Sequence, residues 1–483
     1  MARQTGLRLR HSGLFLSLAM ACSGSLHGQT TGIKSQIPDA PQVSLIAFAP
    51  QNAGPLQEGL NHSSPVQPDS GTPGSLPRLT LADAEQMAIK NNPLVSVSRL
   101  LALAQHQVVR ETRAAELPTG MASITAEDAE NASRISAGSL TASRLFEHAG
   151  AGGGFTQLIT DFGKTSNLVA SSKLQEKAQN ANALATVEDI VLVADQAFFN
   201  ALQAQALLKV ADQNVNTRQT TETQVNELTK NKLKSTLDLS FADVNLSQAK
   251  LLQLDARNNV DSTMAALDAV LGHDRQVTYE LVEESAPLSG PPADANHLLQ
   301  LALQQRPDLQ SLNYSQQAAV KYSRAERDQM LPSISAAGTA GSVPIRPAQY
   351  YLDNWWGGIG VNINIPIFNG FLYSAQAKEA SIRAQAVSEQ TRDLRDRIVR
   401  DVRTAWLASN TAYQRVAVTA ELLKEANLAL QLAQTRYQLG LSSIVELSQA
   451  QFQQTDAAIG NTNAQYEYRL ALAAINYQIG ATP

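Results

Sequence analysis

The chain has 483 residues, of which 43% are hydrophobic and only 5% aromatic, and its formal net charge is −5. On a prior of about 100–200 residues per domain, this length could hold two or three ordinary domains. The acidic balance and the lack of a basic stripe in the sequence argue against nucleic acid as a partner.

The first segment is predicted to be a targeting signal. Basic residues precede the apolar run 13–21, which ends in the A-x-A cleavage pattern Ala19-Met20-Ala21. The run is shorter than the roughly 20 apolar residues that span a bilayer. We therefore predict a signal peptide at 1–21 and export of the chain. Cys22, the only cysteine, follows directly and is either a lipid anchor, as in bacterial lipoproteins, or without a role.

Residues 22–78 are rich in Pro, Gly and Ser and are predicted to form a linker. After it, the sequence contains one unit twice. We predict repeat 1 at 79–272, a connector at 273–297 and repeat 2 at 298–483.

Two constant offsets support this duplication. An offset of 214 carries AIKNNP (88–93) onto ALQQRP (302–307), and an offset of 208 carries Asp238-Leu239 onto Glu446-Leu447. The change of six residues falls between Pro118 and Asp161, which predicts a loop of different length there.

Each repeat is predicted to contain a helix, two strands, a very long helix, a turn and a helix. Residues 164–271 and 371–439 contain neither Gly nor Pro. Small and apolar residues alternate at steps of four and three from Ile190 to Val215 and from Ile398 to Leu423, as in a coiled coil. A helix from about 164 to 228 would be roughly 100 Å long, which no compact globular domain accommodates.

The strands are predicted near 119–127, 151–160, 333–342 and 361–365. The last alternates strictly as V-N-I-N-I, so one face is apolar and the other polar. The aromatic residues that precede it indicate either a membrane interface or a soluble hairpin with core aromatics; they are Tyr350, Tyr351, Trp355 and Trp356. An open four-stranded sheet cannot lie in lipid, and membrane barrels begin at eight strands. A membrane location would therefore require strands from several copies of the chain.

The stretch QLITDFGKTSN (157–167) combines a kinase-like DFG with a P-loop-like GKT. A P-loop would need Gly at position 158, which is Leu, and the sequence has no H-R-D. A nucleotide site is therefore not predicted.

A structural role fits these residues better. The 208 offset places Asp161-Phe162-Gly163 on Asn369-Gly370-Phe371, and both triplets fall where a strand ends and a long helix begins. We predict that Asp161 and Asn369 cap the helices and that Gly163 and Gly370 allow the sharp change of direction.

The joints and the tip sequences resemble the outer-membrane efflux proteins, or TolC family. The second joint continues as IPIFNGFLYSAQ (365–376). The tip sequence is RYQLGLSSIVELSQAQ (436–451), and its counterpart in repeat 1 is NKLKSTLDLSFADV (231–244). The resemblance covers about 80–481. It implies a mainly α fold with β: a homotrimer in which each chain contributes four strands to a 12-stranded outer-membrane β-barrel, continuous with an α-barrel of long coiled-coil helices in the periplasm.

The implied function is that of an outer-membrane channel, the exit duct of a tripartite efflux pump or a type I secretion system. The implied partners are outer-membrane lipid, a periplasmic adaptor and an inner-membrane transporter. Family members close the periplasmic end at two acidic positions, which match Glu446 and Gln449 here. On the residues alone, Glu446 would be a solvated helix residue.

The resemblance also assigns adaptor contacts to the two tip turns: Gly440, Leu441, Ser442 and Ser443, and Lys232, Leu233, Lys234 and Ser235. Ser442 replaces a basic residue that helps to close the tip in some relatives. Gly440 is suited to end a helix at positive φ, whereas Lys232 is not, so we expect the two tips to differ in shape.

The sequence contains no H-E-x-x-H, C-x-x-C or G-x-S-x-G pattern, so we predict no enzyme, no metal site and no cofactor. The alternative function is a secreted coiled-coil scaffold or adhesin whose hairpins remain soluble and form no channel.

Overall fold

The computed structural model describes residues 77–128, 134–137, 140–144, 148–273, 279–283, 289–292, 294–345 and 354–481. They belong to one compact unit, Thr72–Pro483. The predicted signal peptide, Cys22 and all but the last two residues of the predicted linker lie outside the described residues.

The described residues contain eight helices, which form two sets of the same lengths in the same order. The first set is α1 Leu81–Asn91, α2 Pro93–Ala114, α3 Lys164–Lys230 and α4 Thr236–Leu271. The second set is α5 Ala295–Gln305, α6 Pro307–Asp328, α7 Leu372–Gln438 and α8 Ile444–Ile479. Each set has 11, 22, 67 and 36 residues. The first residues of α1 and α5 are 214 apart (81 and 295), and those of α3 and α7 are 208 apart (164 and 372), as the sequence offsets require.

The long helices α3 and α7 follow from the absence of helix breakers and from a seam of small residues. At 1.5 Å per residue, 67 residues extend about 100 Å. Ala194, Ala201 and Ala204 on the predicted seam are buried, as are Ile398 and Val402 on the matching seam of α7. Small side chains at these positions allow α3 to pack closely against α4, α6 and α8.

Eight strands lie within the same described ranges. They are β1 Arg78–Leu79, β2 Thr119–Glu127, β3 Arg134–Ala137, β4 Leu140–Arg144, β5 His148–Thr160, β6 Glu280–Leu281, β7 Ser333–Ile345 and β8 Trp355–Asn364. The four predicted strands form one antiparallel sheet in the order β2-β5-β7-β8. Trp355 and Trp356, predicted to precede the last strand, lie within it, while Tyr350 and Tyr351 are outside the described residues.

Each repeat contributes one hairpin to the sheet, and both hairpins have the same register. Thr119 pairs with Thr156 in the first, and the equivalent Ser333 pairs with Asn364 in the second. The hairpins join through β5 and β7. The alternation predicted for β8 gives an apolar face that includes Ile363 and is exposed along its whole length in the single chain.

The predicted connector 273–297 contains structure that the sequence did not indicate. Its strand β6 pairs in parallel with β1, and α5 begins at Ala295 inside it. The connector also binds the helices, since the Trp406 indole donates to the Pro292 carbonyl (2.8 Å) and the Tyr468 hydroxyl donates to the Ser289 carbonyl (2.5 Å). The parallel pair β1–β6 and the hairpin β3–β4 were not predicted, because strands this short carry too little alternation.

Candidate functional site

The joints between sheet and long helices have the backbone reversal that the sequence predicted, built in two ways. Asp161 follows β5, and its carboxylate accepts hydrogen bonds from the backbone N–H of Thr165 (2.8 Å) and of Gly163 (3.3 Å). Phe162 and Gly163 then take positive φ angles of 54° and 117°. Asp161 thus satisfies N–H groups at the start of α3, as predicted.

At the second joint, Gly370 and Phe371 take φ angles of 64° and 65°. They stand at the positions equivalent to Phe162 and Gly163, with Phe and Gly in the reverse order. The N-cap residue Phe371 receives no side-chain cap, and Asn369 contributes its backbone carbonyl, which accepts from Leu372 N–H (3.3 Å). The prediction that the Asn369 side chain caps α7 is therefore wrong. A neutral amide is a weaker acceptor for helix N–H groups than the Asp161 carboxylate, so the turn is held by its backbone.

The first tip joins α3 to α4 through 231–235. Lys232 has φ 63°, and Leu233 N–H donates to the Leu228 carbonyl (2.9 Å), which ends α3. Ser235 then begins α4 with a reciprocal cap, because its hydroxyl accepts from Asp238 N–H (3.1 Å) and Ser235 N–H donates to the Asp238 carboxylate (3.2 Å).

The second tip joins α7 to α8 through 439–443 with the same backbone path. Gly440 has φ 75°, and Leu441 N–H donates to the Arg436 carbonyl (2.8 Å). The expectation that the tips differ in shape is therefore wrong, because Lys232 adopts the left-handed conformation that suits glycine. That conformation costs a residue with a side chain about 1–2 kcal/mol. Packing of the two helix ends outweighs this cost.

Glu446, the predicted gate residue, stands in the first turn of α8 and forms an ion pair. Its carboxylate lies 3.4 Å from the Arg436 Nε across the tip turn, and both side chains are exposed. Its backbone N–H donates to the Ser443 hydroxyl (3.4 Å), so Glu446 is also part of the helix cap. Gln449 lies one turn further along α8 and is exposed. The pairing of Arg436 with Glu446 was not predicted, because ten residues separate the two and no periodic pattern links them.

The two tips pack side by side over a small core and enclose a cleft of about 590 Å³. The core beneath includes Val225, Tyr437 and Leu447. The Lys234 ammonium lies over the Tyr437 ring, 4.4 Å from its centre. Burial, and then the charge of Asp238, raise the pKa of the Tyr437 phenol. Within the described residues, the buried hydroxyls of Tyr437 and Ser442 have no hydrogen-bond partner.

Behind the tips, a buried polar layer connects helix α3 of the first helix pair with helix α8 of the second. The Arg218 guanidinium donates to the Gln451 side-chain oxygen (2.7 Å) and to that of Asn214 (3.3 Å), and Gln451 donates to the Thr221 hydroxyl (3.0 Å). Such layers fix the register of packed helices, because each polar group must meet its partner. No local sequence pattern indicated this layer, since its members lie on different helices.

Within the described ranges, no group of three or more His, Cys, Asp or Glu side chains could hold a metal ion. Among the helices that the structure describes, none is both long and apolar enough to cross a membrane.

Comparison with known proteins shows which proteins share this architecture. A sequence model of the family described as outer membrane efflux protein matches residues 298–481. The chain is 24% identical over 345 residues to outer membrane protein TolC of Salmonella enteritidis, covering 67% of each chain. It is 23% identical over 406 residues to outer membrane efflux protein BepC of Brucella suis, covering 82% of this chain and 84% of that one. These matches support the predicted resemblance to the outer-membrane efflux proteins (TolC family).

A solved structure shares this fold. The CmeC outer membrane channel of Campylobacter jejuni superposes with a TM-score of 0.70 at 18% identity, over 83% of this chain and 85% of that one. The predicted fold class, long α-barrel helices continuous with β-barrel strands, is confirmed. The predicted function, an outer-membrane exit duct for efflux pumps, is confirmed.

Proposed function

We propose that this efflux duct works as a homotrimer that joins a periplasmic adaptor and an inner-membrane transporter, as part of a tripartite efflux pump or a type I secretion system. The sheet supports an assembly of several copies, and the number three follows from the resemblance to the TolC family. The outer strands β2 and β8 of the sheet have no further partner among the described residues, and β8 is exposed along its length. Lipid cannot satisfy such edges, so strands of other copies must.

Three copies would supply twelve strands, enough for a closed membrane barrel. The helices α3 and α7, each about 100 Å long, would continue the barrel as a tunnel across the periplasm. Cargo would pass without chemical change, and the energised transporter would select it.

The periplasmic gate is proposed at Glu446 and Gln449. Three copies of Glu446 around one axis would form a carboxylate ring, which favours cations. The Arg436 guanidinium, 3.4 Å away, would partly neutralise this ring. Gln449, one helical turn further along, would add a neutral polar ring.

The adaptor is proposed to dock on the two tips. The tips present exposed leucines, with 69% of Leu233 and 67% of Leu441 accessible, next to the cleft that Lys234 and Tyr437 line. An apolar patch with a polar rim is typical of a protein-binding surface. The contact residues would be 232–235 on the first tip and 440–443 on the second.

Single-channel recordings of Glu446→Gln and Arg436→Gln test the gate. Because the two changes remove opposite charges, Glu446→Gln is expected to lower cation selectivity and Arg436→Gln to raise it. Glu421→Gln is the matched control, since that exposed glutamate pairs with Lys424 (3.0 Å) further along α7. Equal selectivity in all three variants and the wild type would contradict the gate assignment.

A further inference from the structure

Arg218 of α3 is a buried cation that has only neutral partners. The residue is 7% exposed. Its Nε donates to the Asn214 side-chain oxygen (3.3 Å) and its Nη1 to the Gln451 side-chain oxygen (2.7 Å), and neither acceptor carries a charge. Within the described ranges it forms no ion pair with a carboxylate. Buried charges in proteins are normally paired with an opposite charge, so the charge of Arg218 requires an explanation.

Helix packing does not require an arginine at this position. At the 208 offset, the counterpart of Arg218 is Ala426 of α7, which is also buried. The same offset carries Asp243 onto Gln451, so a carboxylate of repeat 1 is replaced by a neutral amide where it would have met the guanidinium. Burial lowers the pKa of Arg218. A guanidinium nevertheless stays protonated in proteins, so the positive charge remains.

A cavity of about 400 Å³ lies beside this cation, between α3, α7 and α8. Both residues that accept hydrogen bonds from the guanidinium, Asn214 and Gln451, form part of its wall. The rest of the polar wall consists of amides and hydroxyls, such as Gln434 and Thr455. The described wall contains no Asp or Glu, so no negative charge in it would repel an anion.

The wall also has hydrogen-bond donors that no protein group uses. The Asn214 side-chain oxygen is held by Arg218, while its amide nitrogen donates to no other described residue. Gln451 gives one N–H to the Thr221 hydroxyl (3.0 Å), which leaves the other. The amide of Gln434 donates to nothing in the described part of the chain. Each side-chain amide carries two N–H donors, and donors beside a cation are suited to an anion.

We propose that this cavity binds a small inorganic anion such as chloride, which compensates the charge of Arg218. Water alone would fill the space and satisfy the amides, but it would leave the positive charge without a counter-ion. A bound anion would receive hydrogen bonds from α3, α7 and α8 together, and so would tie the three helices to one another behind the tips. The site needs neither the proposed homotrimer nor the proposed gate, because every residue in its wall belongs to one chain.

Thermal unfolding in detergent tests the site. Sodium gluconate, a much larger anion, is replaced stepwise by sodium chloride at constant ionic strength. Because a ligand that binds only the folded state stabilises it, we expect the unfolding temperature of the wild type to rise by about 1–2 °C and then to level off.

Two variants should abolish this rise for opposite reasons. Arg218→Met removes the charge that attracts the anion. Gln451→Glu places a carboxylate beside the guanidinium, at the position of an oxygen now 2.7 Å from Nη1, and supplies the counter-ion permanently. We expect Gln451→Glu to unfold at a higher temperature than the wild type in gluconate. Arg415→Met is the control, since that exposed arginine pairs with Glu467 (2.6 Å) and its loss should leave the chloride rise intact.

Bromide, which scatters anomalously, locates the ion. Crystals of the wild type soaked in sodium bromide should show an anomalous peak beside Asn214 and Arg218, and crystals of Gln451→Glu should not. An equal chloride rise in the wild type and all three variants would overturn the site, because it would report surface screening. A rise that persists in Gln451→Glu would overturn the role of the anion as counter-ion. A wild type with no chloride rise, or with bromide peaks only elsewhere, would overturn the proposal.

Discussion

The two tips of the molecule share one backbone shape but use their carboxylates differently. In the first, Asp238 closes a reciprocal cap with Ser235, so its charge is used inside the turn. In the second, Ser443 caps α8 alone, and the Glu446 carboxylate reaches Arg436 instead. Helix ends therefore determine the shape of both tips, while single side chains determine their charge. The Glu446 carboxylate can therefore change its pairing without loss of a helix cap, whereas the Asp238 carboxylate cannot.

The comparison extends along the long helices, where equivalent positions differ in burial. Phe198 of α3 is 1% exposed, and its counterpart Trp406 of α7 is half-buried with its indole bonded to the Pro292 carbonyl. Asp195 of α3 is buried, and its counterpart Arg403 is exposed. Repeat 1 thus has a fully buried ring and a buried acid where repeat 2 has a half-buried ring and an exposed base.

The largest effect is expected from Phe198→Ala. Removal of a fully buried aromatic ring should cost about 3–5 kcal/mol, because the cavity cannot collapse completely. Thermal unfolding of the helices, followed by circular dichroism in detergent, measures the loss. Phe241→Ala, which removes a 42% exposed ring from α4, is the control and should cost much less. Equal losses would mean that the α3 core does not anchor repeat 1.

A smaller effect is expected from Asp195→Asn, and it should depend on pH. Burial, and then the nearby Glu85 carboxylate, raise the pKa of Asp195 from 3.8 to about 7. The folded chain therefore binds a proton that the unfolded chain has released between about pH 4 and 7, so stability falls as pH rises through this window.

Asp195→Asn should remove this dependence and raise stability by about 1–2 kcal/mol at pH 8, reduced from the full shift because water partly screens the pair. At pH 4 it should change little. Unfolding temperatures at the two pH values measure the difference, with the exposed Asp243→Asn as control. A gain of the same size at both pH values would contradict the buried proton.

The smallest effects are expected at the two tip turns, where they test whether the turns are equivalent. Lys232→Gly should stabilise the chain by about 1 kcal/mol, because glycine adopts φ 63° without strain. Gly440→Ala, at φ 75°, should destabilise it by a similar amount. Unfolding temperatures report both changes, and shifts of the same sign would show that the two turns are not equivalent.

The sequence predicted elements whose signals are local and repeated. The absence of Gly and Pro marked α3 and α7, the V-N-I-N-I alternation marked β8, and the paired offsets indicated the tandem units. Contacts that join distant segments were missed, including Arg436 with Glu446, Arg218 with Gln451 and β1 with β6. A sequence pattern reports which residues share a face, but it does not report which face of another element they meet.

The shape of the first tip was missed for another reason. The preference of Lys232 against positive φ is worth only about 1–2 kcal/mol, and packing of the two helix ends outweighs it. Intrinsic preference therefore predicted Gly440 correctly and Lys232 wrongly. The gate and adaptor residues remain predictions, because their partners are other chains.

The most direct test of the exit duct is the native mass of the protein extracted with detergent from the outer-membrane fraction. A mass of three copies is predicted, and the same spectrum would show any lipid on Cys22. A protein that stays soluble without detergent as a single copy would contradict the account, because the sheet edges would then never meet a neighbouring chain.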